Sequence, residues 1–168
     1  MKPVHFAAAA VAAIGLALGV QAYLSSGVSG AAPNVSYTLL DGTPRQLEQL
    51  RGKVVLVNFW ATTCTSCVHE MPQIVSTHLR YSAQGFETLA VAMSYDPPSS
   101  VVDFAQSRKL PFGVAIDNTG AIARGFGNVS VTPTTVLINK RGEVVKRYVG
   151  EPDFAALGKL IEQLLAET

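Results

Sequence analysis

Cys64 and Cys67 are the only two cysteines in the chain, and Thr65 and Ser66 alone separate them. Two thiols this close can form a disulfide with each other, exchange it with another disulfide, or hold a soft metal ion. They cannot act as a structural framework, because the ring they close is too small to constrain the unfolded chain much. Their position points to chemistry. Ahead of them Val54, Val55, Leu56, Val57, Phe59 and Trp60 form a β-branched and aromatic run of strand length, which reads as a buried strand. Behind them Val68, Met71, Ile74 and Val75 recur at helical spacing to about Leu79, with Pro72 inside the pattern, where a break or kink is expected. A buried strand feeding a C-x-x-C that opens a helix is the arrangement of a dithiol redox site.

Other chemistries fit less well. A zinc half-site completed by His69 or His78 lacks a second cysteine pair, and the histidine spacing matches no usual ligand set. Covalent haem attachment needs a histidine directly after the second cysteine, where this chain has Val68. A peroxidase of peroxiredoxin type would want proline and threonine where Val57 and Ala61 stand. Copper(I) held by the thiolates, with Met71 and the histidines nearby, stays open as a metallochaperone reading, since soft ligands suit that ion. Met71 and Ile74 at helical spacing also serve simply as core.

The chain has 168 residues, 48% of them hydrophobic, and a formal charge of +1. One domain with a substantial core plus a tail fits that length. Bulk disorder and nucleic-acid binding are disfavoured, because no excess of charge and no run of like charges is present. Near the N-terminus, Lys2 and His5 precede an uninterrupted apolar stretch from Phe6 to Val20, in the form of a secretory n-region and h-region. Two readings stand. Val20-Gln21-Ala22 offers small residues for signal-peptide cleavage after Ala22, whereas Val4 to Leu24 reaches the roughly 20 residues of a membrane-spanning anchor. Either places the domain outside the cytoplasm, and the anchor would keep Lys2 on the cytoplasmic side. Residues 25–33 then form a small, polar linker, and 34–168 the folded domain.

Within that domain Val35 to Leu39 alternates as a strand, Asp41-Gly42 marks a turn, and Leu47 with Leu50 suggests one helical turn closed by Gly52. After the cysteine helix, Thr88 to Met93 reads as a second buried strand and Pro97-Pro98 as a loop. Ser100 to Asp103 resembles a capping box opening a helix to about Lys109. A short strand at Val114 to Ile116, preceded by Leu110-Pro111-Phe112, and a short helix at Thr119 to Gly125 follow. Thr134 to Ile138 and Glu143 to Val149 form a hairpin around Lys140-Arg141-Gly142. The last helix starts at Pro152-Asp153 and carries Phe154, Leu157, Leu160, Ile161, Leu164 and Leu165 as its apolar stripe. Alternation followed by a hairpin predicts a mixed sheet with helices on both faces.

Four features, spread from about Asn34 to Leu165, resemble membrane-tethered thioredoxin-like proteins of the TlpA/ResA type. They are Asn58-Phe59-Trp60-Ala61, the C-x-x-C, the trailing Glu70-Met71-Pro72, and Thr132-Pro133-Thr134-Thr135-Val136-Leu137-Ile138. The resemblance implies an α/β thioredoxin-like fold, with an added N-terminal strand region and a βα insertion between about Phe86 and Lys109. It also implies a cis Thr132–Pro133 bond facing the cysteines, with backbone groups of Thr132 free to pair with a client strand, and places Trp60 at the client-binding surface.

Each residue also has a physical reading. Cys64 is expected at a helix N-terminus, where unpaired N–H groups and the helix dipole lower a thiol pKa from about 8.5 and make a nucleophile. Cys67, one turn on and facing inward, is the resolving thiol. Glu70 matches a glutamate that the TlpA/ResA type carries three residues after the second cysteine. There it would raise the buried thiol's pKa by repulsion and shuttle its proton. Thioredoxin has a buried aspartate where this chain has Asn58, and a neutral amide cannot move a proton, which shifts that role to Glu70. Two departures concern electron flow: Thr63 stands where relatives usually have tryptophan, and Ser66 where they commonly have proline. Hydroxyl side chains beside a thiolate stabilise the reduced form and favour an oxidant. The missing histidine between the cysteines favours a reductant.

The expected activity is thiol–disulfide exchange on disulfide-containing client proteins of the cell envelope, with reduction the favoured direction. A membrane partner would supply the electrons, and the resemblance suggests cytochrome c maturation or copper-site assembly as the client pathway. No cofactor and no resident metal are assigned. A disulfide-introducing oxidant and a copper chaperone are the alternatives.

Overall fold

The computed structural model describes residues 30–167. The apolar segment at residues 4–24 and its two readings therefore lie outside the described residues. Among the described residues, no helix is long and apolar enough to cross a membrane.

Among the described residues there are eight strands: β1 (Gly30–Ala31), β2 (Ser36–Thr38), β3 (Pro44–Gln46), β4 (Val54–Trp60), β5 (Phe86–Ala92), β6 (Gly113–Ile116), β7 (Thr134–Ile138) and β8 (Glu143–Val149). Four α-helices accompany them among the same residues: α1 (Thr65–Tyr81), α2 (Pro98–Ser107), α3 (Ala121–Gly125) and α4 (Phe154–Ala166). Six strands make one sheet in the order β1-β8-β7-β4-β5-β6, and β2 and β3 form a separate two-stranded ribbon. β4 runs parallel to β5 and antiparallel to β7, so both of its edges are paired. All seven of its residues are buried, which is why it reads as a continuous apolar run with no alternation.

Alternation reappears in where those side chains go. Val55, Val57 and Phe59 join a core with Leu89, Val91, Val136, Ile122 and Phe126 on one face. Val54, Leu56 and Trp60 join the other, with Met71 and Ile74 of α1 and Leu157 and Ile161 of α4. Successive strand residues point to opposite faces. Asn58 therefore points, with Leu56 and Trp60, toward α1.

The elements differ from expectation in four places. Gly30–Ala31, read as linker, adds an edge strand to β8, in register with Val144 and Glu143. Pro72 does not break α1, which runs unbroken from Thr65 to Tyr81 with that proline exposed. Cys67, Met71, Ile74 and His78 are buried on both sides of it, and packing of this stripe outweighs the lost backbone bond. α2 begins at Pro98, two residues before the predicted capping box, and no side chain caps it. Proline suits a first helical turn, whose N–H groups lack partners anyway. The predicted turn at Leu47 to Leu50 is a 3₁₀ helix. The βα unit between Phe86 and Lys109 is built into the sheet, since β5 pairs with β4 along its whole length and with β6 on its other edge. The last helix begins as expected: Asp153 accepts from the N–H groups of Ala155 and Ala156 at 2.9 and 3.0 Å. A cap of this kind contributes about 1 kcal/mol.

Candidate active site

β4 delivers the chain to the site. After Trp60 it leaves the sheet, and the N–H of Cys64 donates to the carbonyl of Ala61 at 3.2 Å, tightening the turn that places Cys64 at the N-cap of α1. The Cys64 sulfur accepts from the N–H of Cys67 at 3.2 Å, so it lies among the free N–H groups of the first helical turn. The two sulfurs are joined as a disulfide, 2.11 Å apart. Cys64 is partly exposed and Cys67 fully buried, so an incoming sulfur can reach Cys64 alone. Ser66 Oγ lies 3.5 Å from the Cys64 sulfur and is the nearest hydroxyl partner.

The C-terminal end of β4 pairs with the start of β7, with Phe59 opposite Thr134, so the segment before Thr134 emerges at the same end of the sheet as the cysteines. The Thr132–Pro133 bond is cis. The Pro133 carbonyl accepts from the N–H of Gly150 at 2.8 Å. Among the described residues, neither backbone polar group of Thr132 has a backbone partner, whereas its hydroxyl lies 3.1 Å from the Tyr95 hydroxyl. Trp60, expected at the client-binding surface, is fully buried and packs on Phe104 with ring centroids 5.0 Å apart. It supports the site from beneath and offers a client no surface, because β4 is covered on both faces.

Glu70 follows Cys67 by three positions and lies on the same buried stripe of α1, with no exposed surface. Asn58 Nδ2 donates to Glu70 Oε1 at 2.9 Å and to Thr135 Oγ1 at 3.0 Å, linking α1, β4 and β7 beneath the cysteines. Among the described residues, Glu70 Oε2 has no partner. Burial pushes the carboxyl up to about 7, against the lowering effect of the Asn58 bond and with a smaller push from Glu151. It is thus poised to exchange a proton near neutrality. A solvated glutamate on the outer face of the helix is not what the structure contains.

His69 and His78 make their polar contacts with groups other than the thiols. His69 is exposed beside Glu151, with Nδ1 and Oε2 3.4 Å apart, and His78 is buried with Nδ1 3.2 Å from Thr88 Oγ1. Among the described residues, no three His, Cys, Asp or Glu side chains gather to hold a metal ion.

Asp96, which sequence reasoning passed over, belongs to the site's frame. It is buried, and its Oδ2 and Oδ1 accept from the N–H and hydroxyl of Thr62, both at 2.6 Å. An acidic residue just past a buried strand, ahead of Pro97-Pro98, was the available signal, and it read only as loop.

A buried strand, a partly exposed cysteine capping a helix, its buried partner and a cis-proline at the same sheet end define a thioredoxin-like thiol–disulfide oxidoreductase. Residues 27–161 match the family described as Redoxin, and the chain belongs to that family. It is 39% identical over 123 residues to thiol-disulfide oxidoreductase ResA of Geobacillus kaustophilus, covering 73% of this chain and 70% of that protein. A solution structure of a Neisseria meningitidis protein described as a thioredoxin superposes with a TM-score of 0.76 at 42% identity, covering 82% of this chain and 91% of that one. A crystal structure of a thiol:disulfide interchange protein from Chlorobium tepidum gives 0.75 at 26% identity, covering 82% and 97%.

Proposed function

We propose that the protein reduces disulfides in client proteins of the cell envelope, with residues 34–168 as the working domain. Residues 4–24 export it, as an anchor or as a cleaved signal. In the reduced protein, the Cys64 thiolate attacks one sulfur of the client disulfide, forming a mixed disulfide and releasing the other client sulfur as a thiolate. Cys67 loses its proton to Glu70 and attacks the Cys64 sulfur. The client leaves with both sulfurs reduced, and the protein is left with the Cys64–Cys67 disulfide. Two electrons have passed to the client, and a membrane donor restores the dithiol. Thr132 and Pro133 form the edge along which the client segment lies.

The observation that carries the direction is Glu70. A carboxylate buried on the stripe of Cys67 penalises a thiolate there, and a reduced form without thiolate stabilisation makes a reductant. The absence of histidine between the cysteines supports the same direction. Clients in cytochrome c maturation or copper-site assembly fit an envelope reductant of this kind.

A Cys67→Ala variant tests the reading, since it cannot release the mixed disulfide. Expressed in its own cell envelope, it should accumulate client proteins bound through Cys64 and freed by dithiothreitol. A variant that captures no envelope protein contradicts the proposal.

A further inference from the structure

The turn joining β5 to α2 contains two adjacent residues that reach in opposite directions. Asp96, only 2% exposed, spends both carboxylate oxygens on Thr62, ahead of Cys64. The turn is also fastened along the backbone, because the N–H of Met93 bonds to the Trp60 carbonyl at 3.0 Å and the N–H of Asp96 to the Met93 carbonyl at 2.9 Å. Tyr95 reaches the other way. Its side chain is 58% exposed, and its hydroxyl lies 3.1 Å from that of Thr132, the residue before the cis-proline. Two consecutive residues thereby tie the loop before the nucleophile to the loop of Pro133.

An aromatic ring held in water by a fastened turn is available for a partner. Its neighbours share that character. Val131 immediately precedes Thr132, and Val149 stands opposite Thr134 in the β7–β8 register, next to the glycine that bonds the Pro133 carbonyl. Among the described residues, four large apolar side chains are exposed, and Tyr95, Val131 and Val149 are three of them, all on the segments around Pro133. The fourth, Leu79, is near the far end of α1.

We propose that Tyr95 determines client specificity, contacting an apolar side chain next to the half-cystine of an extended client segment laid along Thr132. The proposal rests on the reading that Cys64 exchanges disulfides with protein clients. The backbone groups of Thr132, which have no backbone partner among the described residues, offer that segment its main-chain bonds. The Tyr95 ring then covers the adjacent side chain, and its tie to Thr132 keeps the ring in place before the client arrives.

The test uses the reduced protein and three disulfides: a cystine-linked peptide dimer with leucine beside the cysteine, the same dimer with serine there, and hydroxyethyl disulfide. The native protein should favour the leucine peptide. Tyr95→Ser should lower kcat/KM for that peptide about tenfold, carried by KM, and leave the other two within about twofold. Tyr95→Phe, which keeps the ring, should retain most of the preference. Equal losses on all three disulfides, an unchanged leucine rate, or a native protein indifferent to leucine would overturn the proposal. If the protein oxidises the reduced peptides and does not reduce the disulfides, the reductant reading fails while Tyr95 is judged by the same comparison in that direction. Exchange with neither form overturns both.

Discussion

Asn58 Nδ2 donates to Glu70 Oε1 at 2.9 Å, joining the central strand to the helix that carries the cysteines. Among the described residues, the second carboxylate oxygen has no partner. Thus the two carboxylate oxygens of Glu70 differ: Asn58, which also donates to Thr135, holds one, and the other is unpaired among the described residues.

Because the Glu70 carboxyl titrates near 7, turnover of a disulfide substrate should rise from pH 6 to 8 with a component centred near 7. Glu70→Gln should remove that component and slow turnover by about tenfold or more, in the range general bases contribute. A pH profile of turnover for both proteins is the measurement. An unchanged profile in the variant would show that Cys67 gives its proton elsewhere.

The same residue makes stability depend on pH. Its folded pKa of about 7 lies above the ordinary carboxylate value, so its favourable contribution is complete below about 4.5 and is lost as pH rises through 7. Glu70→Gln does not titrate. Denaturant unfolding should therefore show the variant gaining about 3 kcal/mol on the native protein between pH 4.5 and 8. No relative gain would mean that the carboxyl is ionised at little cost.

His78 acts in the opposite direction. Burial against Phe86 and Phe112 holds its pKa below the usual 6.5, a drop that Glu87 and the Pro111 backbone partly offset. The folded protein thus binds a proton less readily than the unfolded chain, and stability from the neutral ring is lost as pH falls below about 6.5. An NMR titration of the ring should find its midpoint below that value. A midpoint at or above it contradicts the burial account.

Asp96→Ala should destabilise the fold by about 2 kcal/mol, since it leaves the N–H and hydroxyl of Thr62 without their charged acceptor. Asp96→Asn, which keeps one oxygen as an acceptor for the Thr62 N–H and turns the other position into an NH2 donor that the Thr62 hydroxyl can accept, should recover part of that loss. Thermal or denaturant unfolding checks both, and an alanine variant as stable as the native protein would remove Asp96 from the frame.

The sequence made the sheet's centre readable because β4, β5 and β7 are apolar runs of strand length, and α4 because its stripe and Asp153 cap agree. β1 was not readable: Gly30 and Ala31 have no strand propensity and pair only because β8 offers an edge. The Asn58–Glu70 bond was partly readable. Asn58 shares its strand face with Leu56 and Trp60, and Glu70 follows Cys67 by one helical turn, but spacing alone does not say which faces meet. Trp60 was legible as part of the buried strand; only the resemblance put it at the client surface, and a strand covered on both sides buries its last residue too. Tyr95 and Asp96 were invisible because their partners, Thr132 and Thr62, lie 37 and 34 residues away.

The reduction potential of the Cys64–Cys67 couple tests the central claim most directly. Equilibration at pH 7 against a reference couple should give a value near that of thioredoxin, about −270 mV, as expected when a buried carboxylate disfavours the Cys67 thiolate. A value near about −120 mV would mean that the dithiol form is the stabilised one, and that the protein introduces disulfides.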